Sequence, residues 1–314
     1  MPHAAVPYGG PAGAVEPNGA HPLAASVAMV DRAVSALSFS LFPEPRLAPE
    51  PVPGPRPASE PGAGEPWISC AQVLSDPAFF WRWRGVVARR LASQYGPLPG
   101  GDQVPEKTTA GHVLQWYLLI PSYLGALLFH AARRVPMLTP DRLHFRLEAG
   151  VPQQVALRPD RFWCLPRDPV AGHPDAVVVP DEATLGAVLR DEVIAHAAGM
   201  LAVYRPQLRF GRRTQWATVT DVLDISLLRA GRAFGSPQAG ARDAQLVLGA
   251  GEAPLTSAST IHPVIDEHGR THWIRKRGSC CFRYAVPGWP RPCVSCPRLS
   301  EADRVRILSS LPTA

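Results

Sequence analysis

Along most of this chain the apolar residues recur at helical spacing, and only in a few short stretches do they alternate. Between Ala24 and Phe42 a proline-free island carries Val27, Val30, Val34, Leu37 and Leu41 and predicts a short amphipathic helix over 24–42. Asp76-Pro77 opens a second helix, with proline at the first helical position, through Phe79, Trp81, Val86, Val87 and Leu91. Thr109–Arg134 predicts a third. Its apolar run from Val113 to Phe129, about seventeen residues between His112 and His130, is at the short end for a membrane span. Gln115, Pro121 and Ser122 interrupt that run, so the expectation is a buried helix, or two short ones meeting at Pro121.

The period then changes. Leu143 to Leu147, a Glu148-Ala149-Gly150 turn and Gln154 to Leu157 read as a hairpin, and Ala176–Val179 as one more strand. Helical spacing returns over Glu182–Tyr204 and over Thr214–Arg229, where Trp216, Val219, Leu223 and Leu227 share a face and Gly231 marks the end. A last hairpin, Val264-Ile265, Asp266 to Gly269, His272 to Ile274, leads towards Cys280, and Ser300 is an N-cap for a terminal helix through Leu308. The fold class expected is α+β: a mostly helical domain with a small antiparallel sheet or hairpins and a C-terminal cysteine loop. Three regions follow: a tail over 1–66, a helical domain with a small sheet over 67–260, and a cysteine-bearing segment over 261–314.

Composition sharpens the tail. Of 36 prolines, many crowd into residues 1–66 in runs such as Pro49-Glu50-Pro51-Val52-Pro53, which cannot form a continuous helix or sheet, so a disordered tail is expected there outside the 24–42 island. The island reads as a helix docked on the domain rather than a membrane anchor, because its polar face lacks Lys/Arg enrichment; peripheral membrane association is left open. The net charge of +6 is carried almost wholly by arginine, since Lys107 and Lys276 are the only lysines. Such a surface suits an anionic ligand or an acidic redox partner. It does not suit nucleic acid, for want of a helix-turn-helix, an aromatic–basic RNA signature or a long basic run. Residues 1–10 have no basic stretch followed by an apolar one, which points to the cytoplasm.

Most other signals are bland. Leu246 to Gly251 opens like a dinucleotide fingerprint, but Pro254 stands at the third glycine position and no nucleotide site is expected. Cys70 and Cys164 read as small buried hydrophobes, and His196 as a core histidine. Arg205, Arg209, Arg212 and Arg213 link two long helices, either as a solvated connection or as an anion-binding rim, and Arg275, Lys276 and Arg277 offer the same choice. No nucleophile–base pair or catalytic carboxylate pair is legible.

The chemistry therefore concentrates in Cys280-Cys281, eleven residues, then Cys293-Val294-Ser295-Cys296-Pro297. A Cys-x2-Cys turn aims two sulfurs one way while its amides point at them. In Cys280-Cys281, successive side chains of an extended backbone would diverge, so the chain must turn, and Gly278 permits a bend just before. Disulfides are disfavoured by the strain of bridging adjacent cysteines and by a reducing compartment. Structural zinc normally takes two Cys-x2-Cys-type pairs, of which there is one. An iron–sulfur cluster accepts mixed spacings, and the spacing leans that way without deciding.

Cys280-Cys281-Phe282-Arg283-Tyr284, Pro287 and Cys293-x2-Cys296-Pro297, with Arg275, Lys276 and Arg277 upstream, resemble the C-terminal signature of the FhuF-like ferric-siderophore reductases. That pattern is Cys-Cys, about ten residues, Cys-x2-Cys, one residue shorter than here, with Gly288-Trp289-Pro290 the place for the addition. The resemblance covers roughly residues 270–300; upstream it is diffuse, helix-rich with Trp216 in a fitting place. It implies a [2Fe–2S] cofactor held by Cys280, Cys281, Cys293 and Cys296, and an oxidoreductase that reduces a ferric siderophore by one electron to release Fe(II). It also implies a siderophore-binding helical domain and an electron donor such as a ferredoxin or an NAD(P)H-dependent flavoprotein. The alternatives are a siderophore-binding or biosynthetic protein with a structural cluster, and a zinc-stabilised interaction module.

Overall fold

A computed structural model of the chain describes residues 20–42, 66–95, 104–204, 210–286, 289 and 292–311. The remainder of the expected tail, 1–19 and 43–65, lies outside the described residues.

Helix α1 (Leu23–Ala33) buries Leu23, Val27 and Val30, as the island's spacing implies, and packs on the domain. The helix does not run to residue 42. Asp31 accepts the Phe39 N–H (2.7 Å), and Ser38–Leu41 forms strand β1 with Phe39 buried between exposed Ser38 and Ser40. Ser-Phe-Ser-Leu is a period of two, which the helical reading of the island overrode. This stretch thus belongs to the fold rather than to a tail.

Strand β2 (Ile68–Ser69) leads into α2 (Cys70–Ser75), whose Ser69–Gln72 capping box satisfies two backbone donors. Helix α3 (Pro77–Tyr95) starts at the predicted proline. Helix α4 (Glu106–Ala132) runs unbroken through Pro121 at the centre of the molecule, with α1 and α3 against it. A mid-helix proline costs about 3 kcal/mol, and burial on every side offsets it: Val113, Leu114, Leu118, Leu124, Leu127 and Phe129 are at most 1% exposed. Helix α4 is long and apolar enough to cross a membrane, but 83% of its apolar window is buried inside the fold.

The strands form small sheets. β4 (Leu143–Glu148) and β5 (Val151–Leu157) make the predicted hairpin, its turn using Ala149 and Gly150 at positive φ. β1 adds to β5 in parallel and β2 to β4 antiparallel, so this sheet is mixed. A second sheet joins β3 (Arg134–Pro136), β6 (Phe162–Cys164) and β7 (Ala176–Val178), the last pair parallel. The expected α+β class, mostly helical with small sheets and hairpins, is what the fold shows; the two parallel pairs make two of the sheets mixed, and one of them joins β1 to the distant β5.

Helix α5 (Glu182–Val203) matches its predicted span. Helix α6 (Arg212–Ala233) continues past Gly231, which is no terminus. Gly231 lets α7 (Pro237–Leu248) cross closely: a Cβ there would lie 2.5 Å from the Gly240 nitrogen and the Ser236 oxygen. Leu246–Leu248 belong to α7, which rules out the strand that a dinucleotide fingerprint needs. The hairpin of β8 (Ile261–Ile265) and β9 (Thr271–Arg275) follows, and α8 (Glu301–Ser309) begins at Ser300, which caps it through the Asp303 N–H.

Candidate metal centre

All four C-terminal cysteines are free thiols. Cys281 and Cys296 are buried, whereas Cys280 and Cys293 are half-exposed, so each pair has one member inside and one at the edge. Three of the fold's helices, α4, α6 and α8, hold the loop that carries them.

Helix α6 fixes the approach. After β9 the chain bends at Gly278–Ser279, where both N–H groups donate to the carboxylate of Asp221, each at 2.8 Å, and the Ser279 hydroxyl donates to the same group. The N-terminal part of α4 holds the next turn. Phe282 takes a left-handed conformation (φ 55°), which costs a non-glycine residue about 1–2 kcal/mol. Thr108 Oγ1 donates to its carbonyl (2.9 Å), and its ring stacks on Phe210 at 5.6 Å. One residue on, Arg283 Nε donates to His112 Nε2 (2.9 Å) while its guanidinium lies over Trp289 at 4.7 Å. This left-handed turn, directly after Cys281, directs the chain onto α4.

The second pair is held from the segment just after β9 and from α8. Cys296 N–H closes the Cys-x2-Cys turn on Cys293 O (2.8 Å), and Arg277 N–H donates to Ser295 O (3.0 Å). Arg304 of α8, 1% exposed, donates to the carbonyls of Val294 and of Cys296. Val294 also lines a groove of about 400 Å³ shared with Arg232, Trp273 and Leu308.

One sulfur of each pair meets the other, Cys281 with Cys293. The Cys293 thiol donates to the Cys281 sulfur; this bond holds Cys281 towards the thiolate and Cys293 towards the protonated form. Cys280 lies within electrostatic reach of Cys281 and Cys296, and burial pushes its pKa up despite a hydrogen bond from Phe282 N–H (3.4 Å). Ser295 Oγ contacts Cys293 sulfur at 3.9 Å. Among the described residues no group of three or more His, Cys, Asp or Glu side chains converges tightly enough to hold one metal ion. A binuclear iron–sulfur group would draw on all four cysteines across two pairs, rather than on three or four side chains gathered around one ion. The donor set, two cysteine pairs with N–H groups directed at sulfur, fits such a group, and any metal must expel the protons that the thiols now hold.

The basic residues divide differently from expectation. Arg275 and Arg277 are no surface rim: both are 7% exposed and face Asp221 at 3.2 and 3.6 Å. A carboxylate 54 and 56 positions earlier in the chain draws them in. Lys276 is exposed, as are Arg212 and Arg213 at the first turn of α6, while Arg205 and Arg209 lie outside the described residues, as do Pro287, Gly288 and Pro290. Two other exposed cations near the loop lie over aromatic faces: Arg298 over Tyr284 (4.4 Å) and Lys107 over Phe282 (6.0 Å).

Sequence reasoning passed over Asp221, His112 and Arg304. For Asp221 a signal existed: Thr220-Asp221-Val222-Leu223-Asp224 puts two carboxylates into an otherwise apolar helical stretch. For Arg304 nothing local distinguishes it from Arg306, which is exposed. His196 sits where a core histidine should, its Nδ1 2.6 Å from Leu138 O and Nε2 3.1 Å from Tyr117 Oη. Cys70, fully buried, hydrogen-bonds Tyr117, and burial pushes its thiol up to about 12. No protein-family model matches the chain, and no curated protein matches it either.

Proposed function

We propose that Cys280, Cys281, Cys293 and Cys296 hold a [2Fe–2S] cluster and that the protein uses it to reduce a ferric siderophore, freeing iron as Fe(II). The observation that carries this reading is the contact of Cys281 with Cys293, one cysteine from each pair, with one member of each pair buried and the other half-exposed. When bound, such a group supplies one electron at a time, which is the stoichiometry of Fe(III) to Fe(II). Hard oxygen donors that grip Fe(III) hold Fe(II) far less well, so reduction is release.

The chain's own residues supply the rest. Phe282, Arg283 and Ser295 donate hydrogen bonds to cysteine sulfurs and stabilise their negative charge. Buried Arg277 adds a positive charge acting on Cys280, Cys281 and Cys293. Arg298, Lys107 and Tyr284 form a cationic, aromatic margin that suits an anionic ferric complex or an acidic donor, a ferredoxin or an NAD(P)H-dependent flavoprotein.

Anaerobic purification followed by a visible spectrum and iron, sulfide and zinc assays tests the reading. About two iron and two sulfide per chain, with colour that bleaches on reduction and returns with a ferric hydroxamate, is the expected result. Stoichiometric zinc without sulfide overturns it.

A further inference from the structure

Helix α6 carries Asp221 and Asp224 three positions apart, hence on one face, and both are buried, at 4% and 2% exposure. Asp224 accepts Ser259 Oγ (2.7 Å), Thr260 Oγ1 (3.0 Å) and Thr260 N–H (3.2 Å), on the chain running into β8. Asp221 accepts Gly278 N–H, Ser279 N–H and Ser279 Oγ, on the chain leaving β9. One helical face therefore holds both ends of the hairpin that presents Cys280 and Cys281.

Asp221 does more than Asp224. Its carboxylate also meets the guanidinium groups of Arg275 and Arg277, themselves buried. Buried charges are costly, and apolar residues of similar volume commonly stabilise a fold as well or better. Hairpin packing alone thus gives no reason for three buried charges here. They stand immediately before the cysteines, with Arg277 acting on three of the four sulfurs.

We infer that Asp221 is a positioning residue of the cysteine loop: its carboxylate fixes the Gly278–Ser279 bend that aims Cys280 and Cys281, and it sets how much of the positive charge of Arg275 and Arg277 reaches the sulfurs. The electrostatic half rests on the cluster reading above; the geometric half does not. Asp221 is deeply buried and orders the loop through backbone N–H groups, so its effect reaches the sulfurs through the chain and through the field.

The test compares wild type, Asp221→Asn and Asp221→Glu, purified anaerobically as the full chain. Cluster loss to a chelator and midpoint potential are measured on the loaded protein, and amide exchange at Gly278 and Ser279 on the metal-free protein. Asp221→Asn is expected to lose its cluster roughly ten- to hundredfold faster and to shift the potential upward, because a negative charge beside the sulfurs is gone. Its Gly278 and Ser279 amides are expected to exchange faster. Asp221→Glu restores the charge with displaced oxygens, so its potential returns towards wild type while the faster loss and exchange persist. A role in folding alone would not separate potential from loss in this way. Wild-type loss, potential and exchange in the Asn variant overturn the inference; should that variant not fold, the same values in Asp221→Glu do so. A wild-type chain without iron sinks the cluster reading, and amide exchange then decides the positioning role by itself.

Discussion

Acidification is expected to loosen the strut between α4 and the cysteine loop through His112. Its Nδ1–H donates to Thr108 O (2.7 Å), which leaves Nε2 as the acceptor for Arg283 Nε–H (2.9 Å). A proton on Nε2 would remove that acceptor and set a buried cation against a guanidinium. Burial first, then the charge of Arg283, push the His112 pKa down to about 4. The unfolded chain binds that proton near pH 6.5, so stability is intact above 6.5 and falls as the pH drops from there towards 4. Between pH 7 and pH 5 the loss from this one residue comes to about 2 kcal/mol. Urea denaturation of wild type and His112→Gln at pH 7, 6 and 5 measures it. The variant should start lower at pH 7, having lost the strut, and should decline less steeply by about that amount. Equal declines in the two proteins would refute the reasoning, because carboxylates that titrate in the same range are common to both.

Three further outcomes are expected. Gly231→Ala places a methyl against the backbone of Ser236 and Gly240 and should cost about 1–3 kcal/mol in urea denaturation by prising α7 from α6. Arg304→Met keeps most of the buried volume but strands the carbonyls of Val294 and Cys296. A loss of about 2–3 kcal/mol is expected, with amide exchange rising first at the Cys293–Cys296 turn; uniform exchange across α8 and the turn would count against the assignment. Tyr117→Phe removes a buried hydroxyl that meets both His196 Nε2 (3.1 Å) and Cys70 and should cost about 1–3 kcal/mol, whereas a stability equal to wild type would mean that these two contacts carry nothing.

Local signals reached far into this fold. Pro77 after Asp76, Ser300 before α8, the Ala149-Gly150 turn and the alternation of β4 and β5 each act within a few residues, and each appears where the chain pattern puts it. Where two local patterns overlapped, only partners elsewhere could choose. Ser38–Leu41 fits the end of a helix as well as a strand, and the edge of β5 made it a strand. Pro121 and Gly231 are stop signals by composition, yet both lie inside helices, because packing around α4 and the close α6–α7 crossing outweigh backbone preference.

The site divides along the same line. The four cysteines, their spacing and their chemistry are properties of the chain itself: thiols so near in sequence meet in space at little entropic cost. What aims them is not local. Asp221, His112 and Arg304 come from three different helices, two of them remote in sequence from the cysteines, and each acts through a buried hydrogen bond or ion pair whose worth depends on exclusion of water. Arginine in an Arg-Lys-Arg run before a cysteine pair reads as surface charge until a carboxylate is found waiting inside. Donor chemistry was thus written in the sequence, and its geometry and electrostatic setting were decided only by the tertiary structure, because both depend on which distant charges share the same dry space.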